Sequence, residues 1–222
     1  ENDSSGVMVR KEFCLSRHPK QAWLFSTALG LYEVYVNGER VGEDEMMPGW
    51  TSYHKHLLYQ SYDVTEILRE GKNALGALIG AGWYKGKMGF QRFRNLYGKE
   101  TAFSAELHLI YEDGTREVLR SDDTFSGTKA PILFSEIYDG ETYDARLEQK
   151  GFASPGFVED GWIKVHKIPC DRSVIVPQEG CTIRKMNLLP ARRLFKTPKG
   201  ELVLDFGQNL TGWVEFKVRG AI

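Results

Sequence analysis

Polar and apolar residues alternate with a period of two through Leu31–Val36. Tyr32, Val34 and Val36 fall on one face, and Leu31, Glu33 and Tyr35 on the other. That period predicts a strand. Asn37-Gly38 follows at once. Both residues accept positive φ, so the pair predicts a tight hairpin, with Arg40 and Val41 beginning the return. After Gly42 the chain turns acidic, crosses Pro48-Gly49 and a Trp-bearing loop, and re-enters a strand over residues 57–62. Asp63 stands three residues before Glu66, and Thr65 opens a short segment that stops at Gly71. This spacing predicts a capped single-turn helix.

The same reading extends along the chain. Phe13-Cys14-Leu15 and residues 22–29 read as strands leading into the hairpin. Residues 73–79 are almost wholly apolar, as in a central strand. Residues 102–111 and 116–119 read as strands joined at Asp113-Gly114. Residues 130–138, 163–168, 202–206 and 213–218 read as further strands. Residues 80–86 hold three glycines around Trp83 and Tyr84, which predicts an irregular loop displaying aromatics. Many short strands separated by turn signals predict an all-β fold, an antiparallel β-sandwich. The text changes near residue 187, so residues 1–186 are expected to form one domain and 187–222 to open a second β unit.

Composition narrows the partners. Among 222 residues 41% are hydrophobic and 27% charged, enough for a packed core. The formal net charge is -1, which argues against nucleic acid or an anionic membrane as the main partner. No apolar run approaches the ~20 residues of a membrane span, and the polar start at residues 1–6 carries no signal-peptide signature. Three cysteines, Cys14, Cys170 and Cys181, give no metal knuckle. They are expected to be free thiols, buried or semi-buried, though a Cys170–Cys181 bridge is also open. His54 and His56 share a face if their stretch is a strand, and read as a surface pair rather than a metal pair. Nucleophile-elbow, P-loop and dinucleotide motifs are absent from the sequence.

A set of spaced motifs resembles the N-terminal β-domain of bacterial α-L-rhamnosidases. They are the hairpin Gly30-Leu-Tyr-Glu with Asn37-Gly38, the loop Pro48-Gly-Trp-Thr-Ser-Tyr53, the turn Tyr62-Asp-Val-Thr65, the loop Gly82-Trp-Tyr-Lys-Gly86 and the segment Tyr138-Asp-Gly-Glu-Thr-Tyr-Asp-Ala-Arg146. The tail Asp205-Phe-Gly-Gln-Asn-Leu-Thr-Gly-Trp213 looks like the start of the next β-domain of those enzymes. The resemblance implies a jelly-roll, galactose-binding-like sandwich. It also implies a parent glycosidase that removes terminal α-L-rhamnose. In that family two carboxylic acids on a separate (α/α) helical barrel invert the anomeric centre, a geometry that needs them roughly 6.5–9.5 Å apart. Long amphipathic helices do not occur in this sequence, so no catalytic residue is carried onto it. The implied partners are a rhamnose-containing glycan or glycoside and, within the same polypeptide, the catalytic domain. A periplasmic, secreted or cytoplasmic place in a bacterium all remain open.

Candidate sugar contacts follow from chemistry. The C–H face of a sugar packs on an aromatic ring while its hydroxyls meet polar neighbours. Trp50, Trp83 and Tyr84 sit in glycine-flanked loops, where each either meets sugar or plugs an end of the core. Trp23, Trp162 and Trp213 lie in or beside strands and are expected in the core. Asn37 can hold a hydroxyl or serve only its turn. Asp139 and Glu141, with Asp144 and Arg146, can hold hydroxyls or a cation, or brace one another. No cofactor is expected apart from calcium, which some sugar-binding sandwiches of this type hold and which wants six to eight oxygen ligands. Lys85, Lys87, Arg92, Arg94 and Lys99 form a basic loop, either a solvated rim or a contact for an acidic polysaccharide. Three readings stand: a carbohydrate-recognising accessory module, a structural spacer against the catalytic domain, and a hydrolase active by itself.

Overall fold

In the first of two units the chain runs through fifteen short strands: β1 (Val7–Leu15), β2 (Gln21–Leu29), β3 (Leu31–Val36), β4 (Glu39–Arg40), β5 (Asp44–Glu45), β6 (Leu57–Asp63), β7 (Gly71–Gly80), β8 (Ala102–Ile110), β9 (Arg116–Arg120), β10 (Ser126–Lys129), β11 (Ile132–Glu136), β12 (Gly140–Tyr143), β13 (Ile163–Lys164), β14 (Ile175–Pro177) and β15 (Ile183–Arg184). A four-residue helix, α1 (Gly82–Lys85), follows β7. The computed structural model describes residues 3–217 and 219, and the first unit spans residues 1–184.

Two sheets make the sandwich. One has six strands in the order β13-β10-β1-β7-β3-β4, and the other five in the order β14-β6-β2-β8-β9. Every pairing within them is antiparallel except β14 on β6. Leu24, Val34, Val36, Leu75, Ala77, Ile79, Leu107 and Leu109 close the core between them. The alternation in Leu31–Val36 is realised: Tyr32, Val34 and Val36 are buried and their neighbours half-buried. The Tyr32 hydroxyl reaches across to Gln60 Oε1 at 2.7 Å, so the phenol has a partner inside the core.

β7 is apolar from Ala74 onward because both of its faces are covered there. Leu75, Ala77 and Ile79 face the core. On the other side lies the segment 149–162, and a Cβ on Gly76 would stand 2.7 Å from the Cβ of Ala153. Arg10 of β1, only 1% exposed, fixes that segment. Its guanidinium donates to the carbonyls of Phe152 (2.6 Å) and Ser154 (3.1 Å), pairs with Glu159, and lies over the Phe157 ring.

Asn37-Gly38 forms the expected turn, with φ of 53° and 88° and Val36 opposite Glu39. The predicted single-turn helix is a 3-10 turn, Thr65–Ile67. Val64 sits at its cap, wholly buried, and Asp63 Oδ1 accepts from the Thr65 amide and hydroxyl instead. The expected loop at 80–86 contains α1. Gly82 lies so close to Leu31 that a Cβ would come within 2.5 Å of Leu31 Cγ, and its φ is +52°. The strand expected over 163–168 shrinks to two residues.

The cysteines are free but exposed rather than buried. Cys14 lies on the β1 face away from the core, where Leu15 points inward. Trp23 is exposed on the outer face of β2, which corrects its expected core role. Trp162 does pack, stacked on Phe152 and edge-on to Phe157.

Among its described residues the second unit, residues 185–222, holds an antiparallel hairpin, β16 (Arg193–Lys196) with β17 (Leu202–Asp205). Leu194 and Leu204 are opposite one another and exposed, as is Leu202. Trp213 is exposed too, and residues 213–217 form no strand, while Val218 lies outside the described residues. A two-stranded hairpin has one apolar face too many to be stable alone.

Candidate functional site

Two loops, 46–56 and 81–98, bring the aromatic candidates together. Trp50 stands 56% exposed. Its ring lies nearly parallel to that of Trp83 on α1, with centroids 6.2 Å apart and an interplanar angle of 13°. The indole of Trp50 donates to the Tyr97 hydroxyl at 3.4 Å. Underneath, Tyr53 packs edge-on against Tyr84 (5.4 Å) and Tyr97 (4.9 Å) and donates to the Gly49 carbonyl at 2.8 Å. His54 Nε2 meets the Tyr97 carbonyl at 2.8 Å. Burial raises the Tyr53 phenol well above its usual range and raises Tyr84 as well, so both are neutral hydroxyls at any ordinary pH. Trp83 thus packs against the buried Tyr53–Tyr84 cluster, and Trp50 lies against Trp83 and the Tyr97 hydroxyl.

Tyr84 belongs to that cluster and not to the surface. It is buried, and a Cβ on Gly98 would lie 2.1 Å from its hydroxyl, so only glycine leaves it room. Asn37 is not beside the tryptophans in any hydrogen bond or ring contact. Its amide donates to the Ile67 carbonyl (2.7 Å) and Asn73 Oδ1 (2.8 Å), and its oxygen accepts from the Ala74 amide (2.9 Å). Those bonds tie the hairpin to β7 and the adjoining turn and engage both donors of the Asn37 amide.

The basic loop is strapped by acids rather than open to them. Asp139, in the turn between β11 and β12, pairs with both Lys87 and Arg92, which hold its carboxyl below the usual range. Glu136, buried on β11, pairs with Arg94, accepts from the Ser4 hydroxyl at 2.6 Å and from the Lys87 amide at 2.7 Å. The loop doubles back on itself, with a bridge between Met88 and Phe93. Phe90 at its tip is fully exposed and Phe93 largely so.

Glu141 stands exposed on β12. Asp144 accepts from Arg146 Nε at 2.8 Å and from its terminal nitrogen at 2.6 Å, a bidentate brace that lowers the Asp144 carboxyl to about 2. As arranged, Asp139, Glu141 and Asp144 do not fit a calcium ion: four oxygens of two of them already face cations. Among the described residues no three His, Cys, Asp or Glu side chains come together as a metal-holding group. Likewise no described helix is long and apolar enough to cross a membrane.

Sequence reasoning missed Tyr53, Tyr97 and His54 as parts of this site. The one available signal was their position, inside or at the end of the same glycine-bearing loops.

Residues 17–187 match the family described as Alpha-L-rhamnosidase N-terminal domain, about three-quarters of the chain. The chain belongs to the α-L-rhamnosidase N-terminal domain family. Residues 195–222 match the bacterial alpha-L-rhamnosidase concanavalin-like domain. An alpha-L-rhamnosidase of Streptomyces avermitilis is 42% identical over 220 residues, which is 98% of this chain and 21% of that protein. One from Formosa agariphila is 35% identical over 94% of the chain and 22% of its own length. The rhamnosidase domain therefore spans about a fifth of the length of the curated relatives it matches. Among solved structures, the native α-L-rhamnosidase of Aspergillus terreus aligns with a TM-score of 0.92 at 40% identity, over 95% of this chain and 25% of that one. The S. avermitilis α-L-rhamnosidase complexed with L-rhamnose aligns with a TM-score of 0.88 at 41% identity, over 94% and 20%.

Proposed function

We propose that this chain is the accessory β-domain of an α-L-rhamnosidase and helps recognise the rhamnose-containing glycan or glycoside, while hydrolysis occurs on a separate (α/α) barrel of the parent polypeptide. One observation carries the recognition role. An exposed indole, Trp50, lies parallel to Trp83, which packs against a buried tyrosine cluster. A methyl pentose such as rhamnose offers an apolar ring face and hydroxyls, which suit an aromatic platform with Tyr97 and His54 beside it. A platform held before the ligand arrives loses little entropy on binding.

The test is calorimetric titration with L-rhamnose, with and without calcium. The wild-type chain is expected to bind saturably. Trp50→Ala is the cleaner variant, because its ring is mostly outside the core, and should weaken binding at least about fivefold while unfolding at the same temperature. A flat wild-type trace, or equal affinity in Trp50→Ala, overturns this role. A spacer that only packs against the catalytic domain is the second reading. The exposed Phe90 and Phe93 on a rigidly strapped loop favour it, since bare aromatics on a fixed scaffold are typical interface anchors.

A further inference from the structure

The outer face of the five-stranded sheet carries a cleft of about 350 Å³, separate from the tryptophan pair. Phe25 of β2 forms its floor, edge-on to Tyr59 at 5.9 Å and to His108 at 5.0 Å. One wall is Glu106 of β8. Its two oxygens are taken by His108 Nε2 (2.9 Å) and Arg120 Nε (3.0 Å), so its charge is already balanced. The opposite rim is Arg172, in the 3-10 turn before β14. Arg172 is exposed, and its guanidinium has no hydrogen bond or ion pair among the described residues. The hydroxyls of Tyr59 and Ser104, also in the lining, are likewise without a hydrogen bond there.

This set is an aromatic floor, two free hydroxyls and one unopposed guanidinium. A guanidinium in that state is a fork for a carboxylate. Hydroxyls beside ring faces suit a pyranose, whose C–H face packs on aromatics. Ile175 of the lining also packs against the Tyr53–Tyr84 cluster that supports Trp83, so the cleft adjoins the proposed rhamnose face. We propose that this cleft binds a uronate residue of an acidic glycan, with its carboxylate on Arg172 and its ring over Phe25 and Tyr59. That the ligand is a glycan rests on the reading of the Trp50–Trp83 face. The carboxylate requirement rests on the cleft alone.

Titration with trigalacturonate, using a neutral galactose trisaccharide as control, tests the assignment. The acidic trisaccharide should bind saturably and lose affinity as salt rises. Arg172→Gln should weaken it at least about tenfold, since hydrogen bonds to charged groups are the strong ones. Trp50→Ala should leave this binding unchanged. Arg172 is exposed, so its variant keeps the fold; Tyr59→Phe, removing one free hydroxyl, gives a second and smaller loss. Binding that survives Arg172→Gln, or matches that of the neutral trisaccharide, overturns the proposal. Loss in Trp50→Ala with none in Arg172→Gln overturns it too, while leaving the tryptophan reading in place. If L-rhamnose fails to bind but trigalacturonate binds through Arg172, only the rhamnose reading falls.

Discussion

Arg10→Met isolates the buried guanidinium that fastens segment 149–162. Methionine keeps most of the stem's packing and removes the charge. What it leaves behind decides the cost. The carbonyls of Phe152 and Ser154 lose their donors, and an unsatisfied buried carbonyl costs about 1–3 kcal/mol. Glu159 adds little, because its side chain is 32% exposed and can turn to water. Against this stands the desolvation of the guanidinium itself, which the variant no longer bears. We expect a net loss of roughly 2–4 kcal/mol. For a unit of this size that lowers Tm by roughly 5–15 °C. Glu159→Gln should cost below about 1 kcal/mol. Thermal and denaturant unfolding measure both variants, and hydrogen exchange at residues 152–154 should rise only in Arg10→Met. A variant as stable as the wild type would refute the reasoning: the carbonyls would then find other donors, and the segment would be held by the Phe152, Phe157 and Trp162 rings and the Gly156 amide bond to Glu12.

Asn37→Ala should cost roughly 2–4 kcal/mol, because three hydrogen bonds to β7 and the adjoining turn are lost and alanine resists the φ of 53°. It should leave L-rhamnose affinity untouched; a change in affinity would return Asn37 to the site. Acid should loosen the basic loop before the sandwich. The Asp139 carboxyl is depressed by Lys87 and Arg92, so its contribution is fully present above the ordinary carboxylate range near 4 and disappears as pH falls through the depressed value. Limited proteolysis within residues 86–98 should therefore rise on acidification, and Asp139→Asn should show the same susceptibility at neutral pH. Equal cleavage at both pH values would refute the strap.

The sheet was legible wherever one face was buried and the other wet. Leu31–Val36 and the Asn37-Gly38 turn follow from period and turn chemistry alone, and the apolar run in β7 follows from cover on both faces. The segment that supplies the second cover, 149–162, was not legible. Its place depends on Arg10 and Glu12, whose partners in the segment lie about 140 residues away, and no local pattern encodes that distance. The site was legible in part for the same reason. Glycine-flanked tryptophans in loops mark display, so Trp50 and Trp83 could be singled out. Tyr84 reads the same in sequence and lies inside, because Gly98, at the other end of the same loop, leaves room for its hydroxyl. Acidic residues near a basic loop read equally as ligands or as straps, and only the Asp139 and Glu136 pairings decide between them.

β1 has a bearing on how the sheet is assembled. β1 is an inner strand: β7 lies along its full length on one edge and β10 along its first four residues on the other. The family match nevertheless begins at residue 17, beyond that strand. The stretch that the family model matches is thus shorter than the stretch that folds, and trimming to it would strip out an interior slat together with Arg10. Synthesis runs into the same arrangement. β1 cannot be enclosed until residues 126–129 have left the ribosome, so this sheet closes late, the slow order that distant strand pairings impose.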